Sequence, residues 1–209
     1  LNVAVGLASL DANTTGIKNV AVGKDAMYRN TTGDSNVASG YQSLYNNTTG
    51  TNNTADGYQA LYTATTAANN TAVGNQSLYY TTTGASNTAV GRHALVNNTT
   101  GTENVSVGAN SLETNTTGTN NVAMGWKSLA SNTTAGSNTG LGNEALRTNT
   151  TGANNTAVGA RSLYLNTTGG KNTALGKGSS ELNTTGYHQT SVGYHALNQC
   201  TTGQENTAV

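Results

Sequence analysis

The sequence predicts an all-β fold: a parallel β-solenoid, or β-roll, of stacked 17-residue coils. Three observations carry that expectation. A segment of the form Asn-(Val/Thr)-Ala-Val-Gly begins at Asn2 and returns every 17 residues through Asn172, then again from Gln189 and Asn206. No insertion or deletion interrupts the twelve full units. Gly and Thr-Thr also hold fixed columns within the unit. Helical repeats and propeller blades are longer and tolerate loop variation, so a short unit without slack implies coils stacked in register. Residues 1–209 therefore form one repetitive segment rather than a set of domains.

With Asn2 as position 1, each column translates into backbone. Position 2 is always β-branched, position 3 is small and position 4 is mostly aliphatic, which together predict a short strand. Position 5 is Gly in every unit (Gly6, Gly23, Gly40, Gly57, Gly74, Gly91 and onward). It marks a corner where a Cβ is costly. A second short strand is expected around positions 7 to 11, centred on the Leu of position 9 (Leu10, Leu44, Leu61). Asn-Thr-Thr-Gly then supplies a turn at positions 12 to 15, as at Thr14 and Thr15, with Gly admitting positive φ. The aliphatic side chains of positions 2, 4 and 9 are the expected core. At ~4.8 Å per coil, twelve coils make a rod of roughly 58 Å.

Stacking also predicts side-chain ladders. Tyr28, Tyr45, Tyr62 and Tyr79 share position 10 in successive coils, and Lys127, Glu144 and Arg161 share position 7 with alternating sign. In register they become a tyrosine ladder and an ion ladder.

Composition narrows function. Nine basic residues balance nine acidic ones, which leaves no electrostatic footprint for nucleic acid or an anionic membrane. Apolar runs are too short to insert in a bilayer. A single cysteine, Cys200, excludes an intrachain disulfide framework and a multi-cysteine metal site. Three aliphatic side chains per coil are a thin core for 17 ordered residues, so self-association is expected.

The stretches Asn-Val-Ala-Val-Gly (2–6, 19–23) and Asn-Thr-Ala-Val-Gly (70–74, 87–91, 155–159) resemble the repeats in head domains of trimeric autotransporter adhesins. The fuller unit also looks like repeats of phage and giant-virus tail-fibre proteins. The resemblance covers essentially the whole chain. It implies a β-roll assembled as a homotrimer, in an excerpt of a longer fibre that is extracellular, on a cell surface or on a virion. The 17-residue unit is longer than the adhesin repeat, so coil geometry does not transfer. The expected role is a structural shaft or head segment. A glycan- or surface-binding module is one alternative, and an extracellular filament of end-to-end solenoids is another.

No residue set suggests an enzyme, and no cofactor is expected. His93 and His195 share position 7 six coils apart, about 29 Å along the rod. His188 lies near His195, but neither has a carboxylate or thiol at metal-ligand spacing. The carboxylates scatter over different columns. Asp56 is the one weak metal candidate: with Ser39 it interrupts the aliphatic column at position 4, and copies of it near a trimer axis could hold an ion. The position-10 tyrosines, with Tyr41, Tyr58, Trp126 and Tyr194 at position 6, are the candidate surface-binding residues for glycans. Paired Thr columns raise ice binding as a lesser alternative, although adjacent threonines tend to face opposite sides. Asn-Thr-Thr is also an N-glycosylation sequon at Asn13, Asn30 and Asn47, but a glycan on every coil is crowded at ~4.8 Å.

Overall fold

In the computed structural model, which describes residues 1–209, the chain is all-β, with no helix. Thirteen strands, from β1 (Val3–Val5) and β2 (Val20–Val22) to β13 (Thr207–Ala208), occupy positions 2 to 4 of successive units. They form one parallel sheet in strict chain order. Val3 pairs with Val20, Ala4 with Ala21 and Val5 with Val22, and the same 17-residue offset holds to the last pair. The expected β-solenoid is thus the observed fold. It has one strand per coil.

The second strand does not form. Positions 6 to 11 make two successive turns, because the residues at positions 7 and 9 adopt the left-handed region. In the third coil these are Gln42 (φ 53°) and Leu44 (φ 51°). Position 17 is left-handed too, as at Ser35 (φ 58°). Outside glycine such backbone costs on the order of 1–3 kcal/mol and persists only where surroundings over-determine it. The stack supplies that constraint. The Leu44 N–H donates to the Ala60 carbonyl of the next coil at 2.9 Å, and the Gln42 N–H to the Lys24 carbonyl of the previous one at 3.0 Å. Of 144 backbone hydrogen bonds only 24 lie within the strands, so stacked turns contribute most of the cohesion.

The two glycine columns have different causes. At position 5 the backbone has positive φ, 127° at Gly40, and an added Cβ meets the next glycine's carbonyl oxygen at 2.6 Å. At position 15 no positive φ occurs, contrary to expectation. Space is the constraint there, since a Cβ on Gly33 would lie 2.4 Å from the Gly50 carbonyl oxygen and 2.6 Å from Asn30 Oδ1. Ala67 fits this column beside Ala64, which lacks the amide that position 12 carries in all but three coils. Nothing in the structure explains Ala135, which keeps Asn132 beside it.

The core is narrower than expected. Positions 2 and 4 point outward, and the small residue of position 3 points in: Ala21, Ala38, Ala55, Ala72 and Ala89 are fully buried. Against them pack the Ala or Ser of position 8 and the Leu of position 9, with Leu44, Leu61, Leu78 and Leu95 fully buried. A 17-residue ring leaves room for one branched aliphatic per layer, so the β-branched residues go outside. Leu95→Ala is therefore expected to cost about 2–5 kcal/mol. Val90→Ala, measured on the isolated chain, should cost less than about 1 kcal/mol. Urea denaturation of the two variants checks this, and equal losses would contradict the assigned faces.

Candidate functional site

The side chains form continuous columns, and each column offers different chemistry. Two asparagine columns run through the interior. At position 1, Asn19 Oδ1 accepts from the Asn36 backbone N–H at 2.9 Å, while Asn19 Nδ2 donates to the Gly33 carbonyl at 2.7 Å. At position 12, Asn30 Nδ2 donates to the same Gly33 carbonyl at 3.1 Å and to Asn13 Oδ1 at 2.9 Å. Buried amides are costly unless satisfied, and these are satisfied by their own repeats. Asn30 and Asn47 are fully buried, so these sequons cannot carry a glycan in the folded coil.

Breaks in the columns have local consequences. Ala64 interrupts the position-12 ladder and leaves Asn47 Oδ1 buried without a partner. Ser180 replaces leucine at position 9, where its hydroxyl meets Ser191 Oγ at 2.9 Å, and Ser179 Oγ donates to Ser191 Oγ at 2.6 Å. Cys200 lies in the inward position-12 column, and its Sγ accepts from Gln189 Nε2 at 3.6 Å and Asn206 Nδ2 at 3.5 Å.

On the outside, Tyr28, Tyr45, Tyr62 and Tyr79 stack with ring centroids 5.1–5.3 Å apart. Each ring covers its neighbour, so Tyr45 and Tyr62 present edges and hydroxyls rather than open faces. Tyr80 meets Tyr79 edge-on at 4.6 Å. Beside this ladder runs an amide chain in which Gln76 Nε2 donates to Gln59 Oε1 at 3.0 Å and Gln59 Nε2 to Gln42 Oε1 at 2.9 Å. His93 Nε2 extends it, 3.0 Å from Gln76 Oε1. Tyr41 and Tyr58 form a second stack at 5.5 Å, and Trp126 and Tyr194 are exposed in that column.

The ion ladder does not form as expected. Glu144 pairs with Arg147 at 2.7 Å, and Lys127 lies over the Trp126 ring at 4.7 Å. Arg161 reaches Glu181 at 2.8 Å and also lies over Tyr164 at 4.5 Å. His195 approaches Glu181 at 3.7 Å, through space that Gly178 leaves open. His188 is exposed. No three His, Cys, Asp or Glu side chains converge on a point that could hold a metal ion. Asp56 sits on the outward strand face and is exposed, so within one chain it is a solvated carboxylate rather than a buried one.

Both threonine columns reach the surface, and they divide by hydrogen bonding rather than by position parity. From Thr14 to Thr184, each position-13 hydroxyl donates to the position-13 carbonyl of the next coil, as Thr31 does to Thr48 at 2.9 Å. That carbonyl also accepts the N–H groups of Thr31, Thr32 and Gly33. The position-14 threonines form a single exposed rank. Comparison with protein-family profiles, characterised proteins and solved structures returned no match.

Completing the broken ladder should stabilise the rod. The triple substitution Ala64→Asn, Ala67→Gly, Thr81→Asn gives Asn47 Oδ1 a donor, continues the ladder to Asn98 and is expected to add about 1 kcal/mol, read as a raised denaturation midpoint. A second effect concerns Tyr79, whose phenol is raised above its usual value by burial first, then by Tyr62, Tyr80 and Tyr58. The unfolded phenol ionises first, so the contribution is intact below about pH 10 and is lost as pH rises through the folded value. Tyr79→Phe should flatten the loss of stability above pH 10, measured by denaturation across pH.

Proposed function

We propose that the chain is a structural β-solenoid shaft that associates side by side with copies of itself, as a homotrimer in an extracellular, cell-surface or virion fibre. The observation that supports this is the outward strand face. Position 4 places an aliphatic side chain on nearly every rung: Val22, Val90, Met124, Val158 and Leu175 are 41, 36, 46, 37 and 37% exposed. Position 2 flanks this stripe with valine or threonine along the full sheet. Isolated surface aliphatics need no explanation, but a continuous apolar band along a flat face marks a contact surface. The repeat itself argues for a second copy as the occupant. Only a surface with the same rung spacing can match every rung, and a net charge of zero imposes no long-range repulsion between copies. The threefold count rests on the resemblance to adhesin heads.

Ser39 and Asp56 interrupt the stripe in the third and fourth coils. In an assembly they would form a polar girdle in an otherwise apolar contact, and a carboxylate buried there would need a partner. Analytical ultracentrifugation tests the proposal. The wild type should sediment as a trimer, and the pair Val90→Asp, Val158→Asp should shift it to monomer while keeping the far-UV signal. A folded wild-type monomer at tens of micromolar would overturn the reading.

A further inference from the structure

The rod has one groove, of about 580 Å³, on a side that the shaft role does not use. It runs along the stack between columns 11 and 13, which flank the inward-facing position 12. Thr63, Tyr80, Asn97 and Thr114 form one bank, and Thr82, Thr99 and Thr116 form the other. The lining spans four consecutive coils, so the groove is elongated along the rod. Tyr80 is its only large side chain, half exposed at 50% and set edge-to-face against Tyr79.

The hydrogen-bonding state of the lining restricts what can bind. Thr63 Oγ1 donates to the Tyr79 carbonyl at 2.8 Å, and Thr114 Oγ1 to the Ala130 carbonyl at 2.9 Å. Thr82, Thr99 and Thr116 donate to the position-13 carbonyls of the coils after them at 3.2, 3.0 and 3.1 Å. Asn97 Nδ2 donates to the Glu113 carbonyl at 2.9 Å. The threonine hydroxyl hydrogens are all committed to the backbone. What faces the groove is a bed of methyl groups, hydroxyl and amide oxygens with free lone pairs, and the Tyr80 ring with its phenol. No charged side chain lines it.

We infer that this groove is a binding site for a neutral, linear saccharide lying along the rod axis. A pyranose ring has an apolar C–H face that suits the tyrosine and the methyl bed, and hydroxyl groups that donate to the groove's oxygens and accept from the Tyr80 phenol and the second Asn97 N–H. An anionic sugar would meet acceptors with no compensating cation. A cationic ligand would find no carboxylate. The groove, extended over four coils, suits a chain of sugars rather than a single one. The site does not depend on the association proposed above, since columns 11 and 13 are separate from columns 2 and 4.

The test uses the 209-residue chain on an array of neutral linear gluco-, xylo-, manno- and chito-oligosaccharides, with sialylated and sulfated glycans beside them. Binders are then titrated calorimetrically. Neutral linear glycans should be retained, with Tyr80→Ala weakening binding tenfold or more and Tyr80→Phe by less than threefold. Thr114→Arg should also abolish binding by filling the groove. Column 11 already accepts Arg29 in the second coil, so this variant should fold. Tyr194→Ala, which alters an exposed aromatic outside the groove, should leave affinity unchanged. No retention of any neutral glycan at millimolar concentration, a preference for anionic glycans, or binding indifferent to both groove variants would overturn the inference. Sedimentation of the same samples reports the assembly state separately.

Discussion

The fold depends on one carbonyl group per coil. At position 15 the carbonyl oxygen lies inside the ring and receives the amides of both asparagine columns, as Gly50 does from Asn36 at 2.8 Å and Asn47 at 3.0 Å. That contact ties the residue entering the strand to the turn that closes the coil. The oxygens of the same amides reach the neighbouring coil, where Asn36 Oδ1 accepts from the Asn53 N–H at 2.9 Å. Closing a coil and stacking it are therefore one event. Departures leave oxygens orphaned: Gln189, one methylene longer, still donates to the Gly203 carbonyl at 2.6 Å but buries its Oε1 without a partner, and Ala64 does the same to Asn47 Oδ1.

A polar interior has two structural consequences. Amides occupy volume that a conventional solenoid gives to aliphatics, so one leucine and two small residues complete each layer and the valines are displaced to the surface. The rod then has apolar character on its outer sheet face and hydrogen-bonded character within. The second consequence is backbone strain. Turning so tightly around a small core needs left-handed residues at positions 7, 9 and 17 in almost every coil. Leucine is a poor residue for that conformation, so its place at position 9 is set by burial and by the N–H bond to the next coil.

The period, the strand at positions 2 to 4, the corner glycine and the tyrosine ladder were legible in the sequence because each depends on a residue type that repeats. The faces were not. Val-Ala-Val alternates in either sense, and hydrophobicity alone favoured valine inside; only the size of the ring, a property of all 17 residues together, reverses it. The turns at positions 6 to 11 were hidden for a related reason, since a column of leucines carries no mark of positive φ. The groove escaped notice because its bank is a variable column. Tyr80 gives it depth, and sequence periodicity directs attention to Tyr79 beside it. The burial of the asparagine sequons could have been found from parity, since position 12 lies between outward positions 11 and 13.

The division between constant and variable columns also locates where specificity can reside. Columns 1, 3, 5, 8, 9, 12 and 15 are held nearly uniform by stacking, and among their exceptions Ala64 leaves an orphan oxygen while Ser180 joins a serine cluster. Columns 6, 7, 10 and 11 vary freely because a substitution there meets only its neighbours above and below. They are also organised in blocks: stacked tyrosines and glutamines in the second to fifth coils, arginine–glutamate–tyrosine contacts in the ninth to eleventh. A uniform shaft would gain nothing from such blocks. Their presence on a nearly invariant interior means that the outer surface can change coil by coil while the stacking columns stay constant.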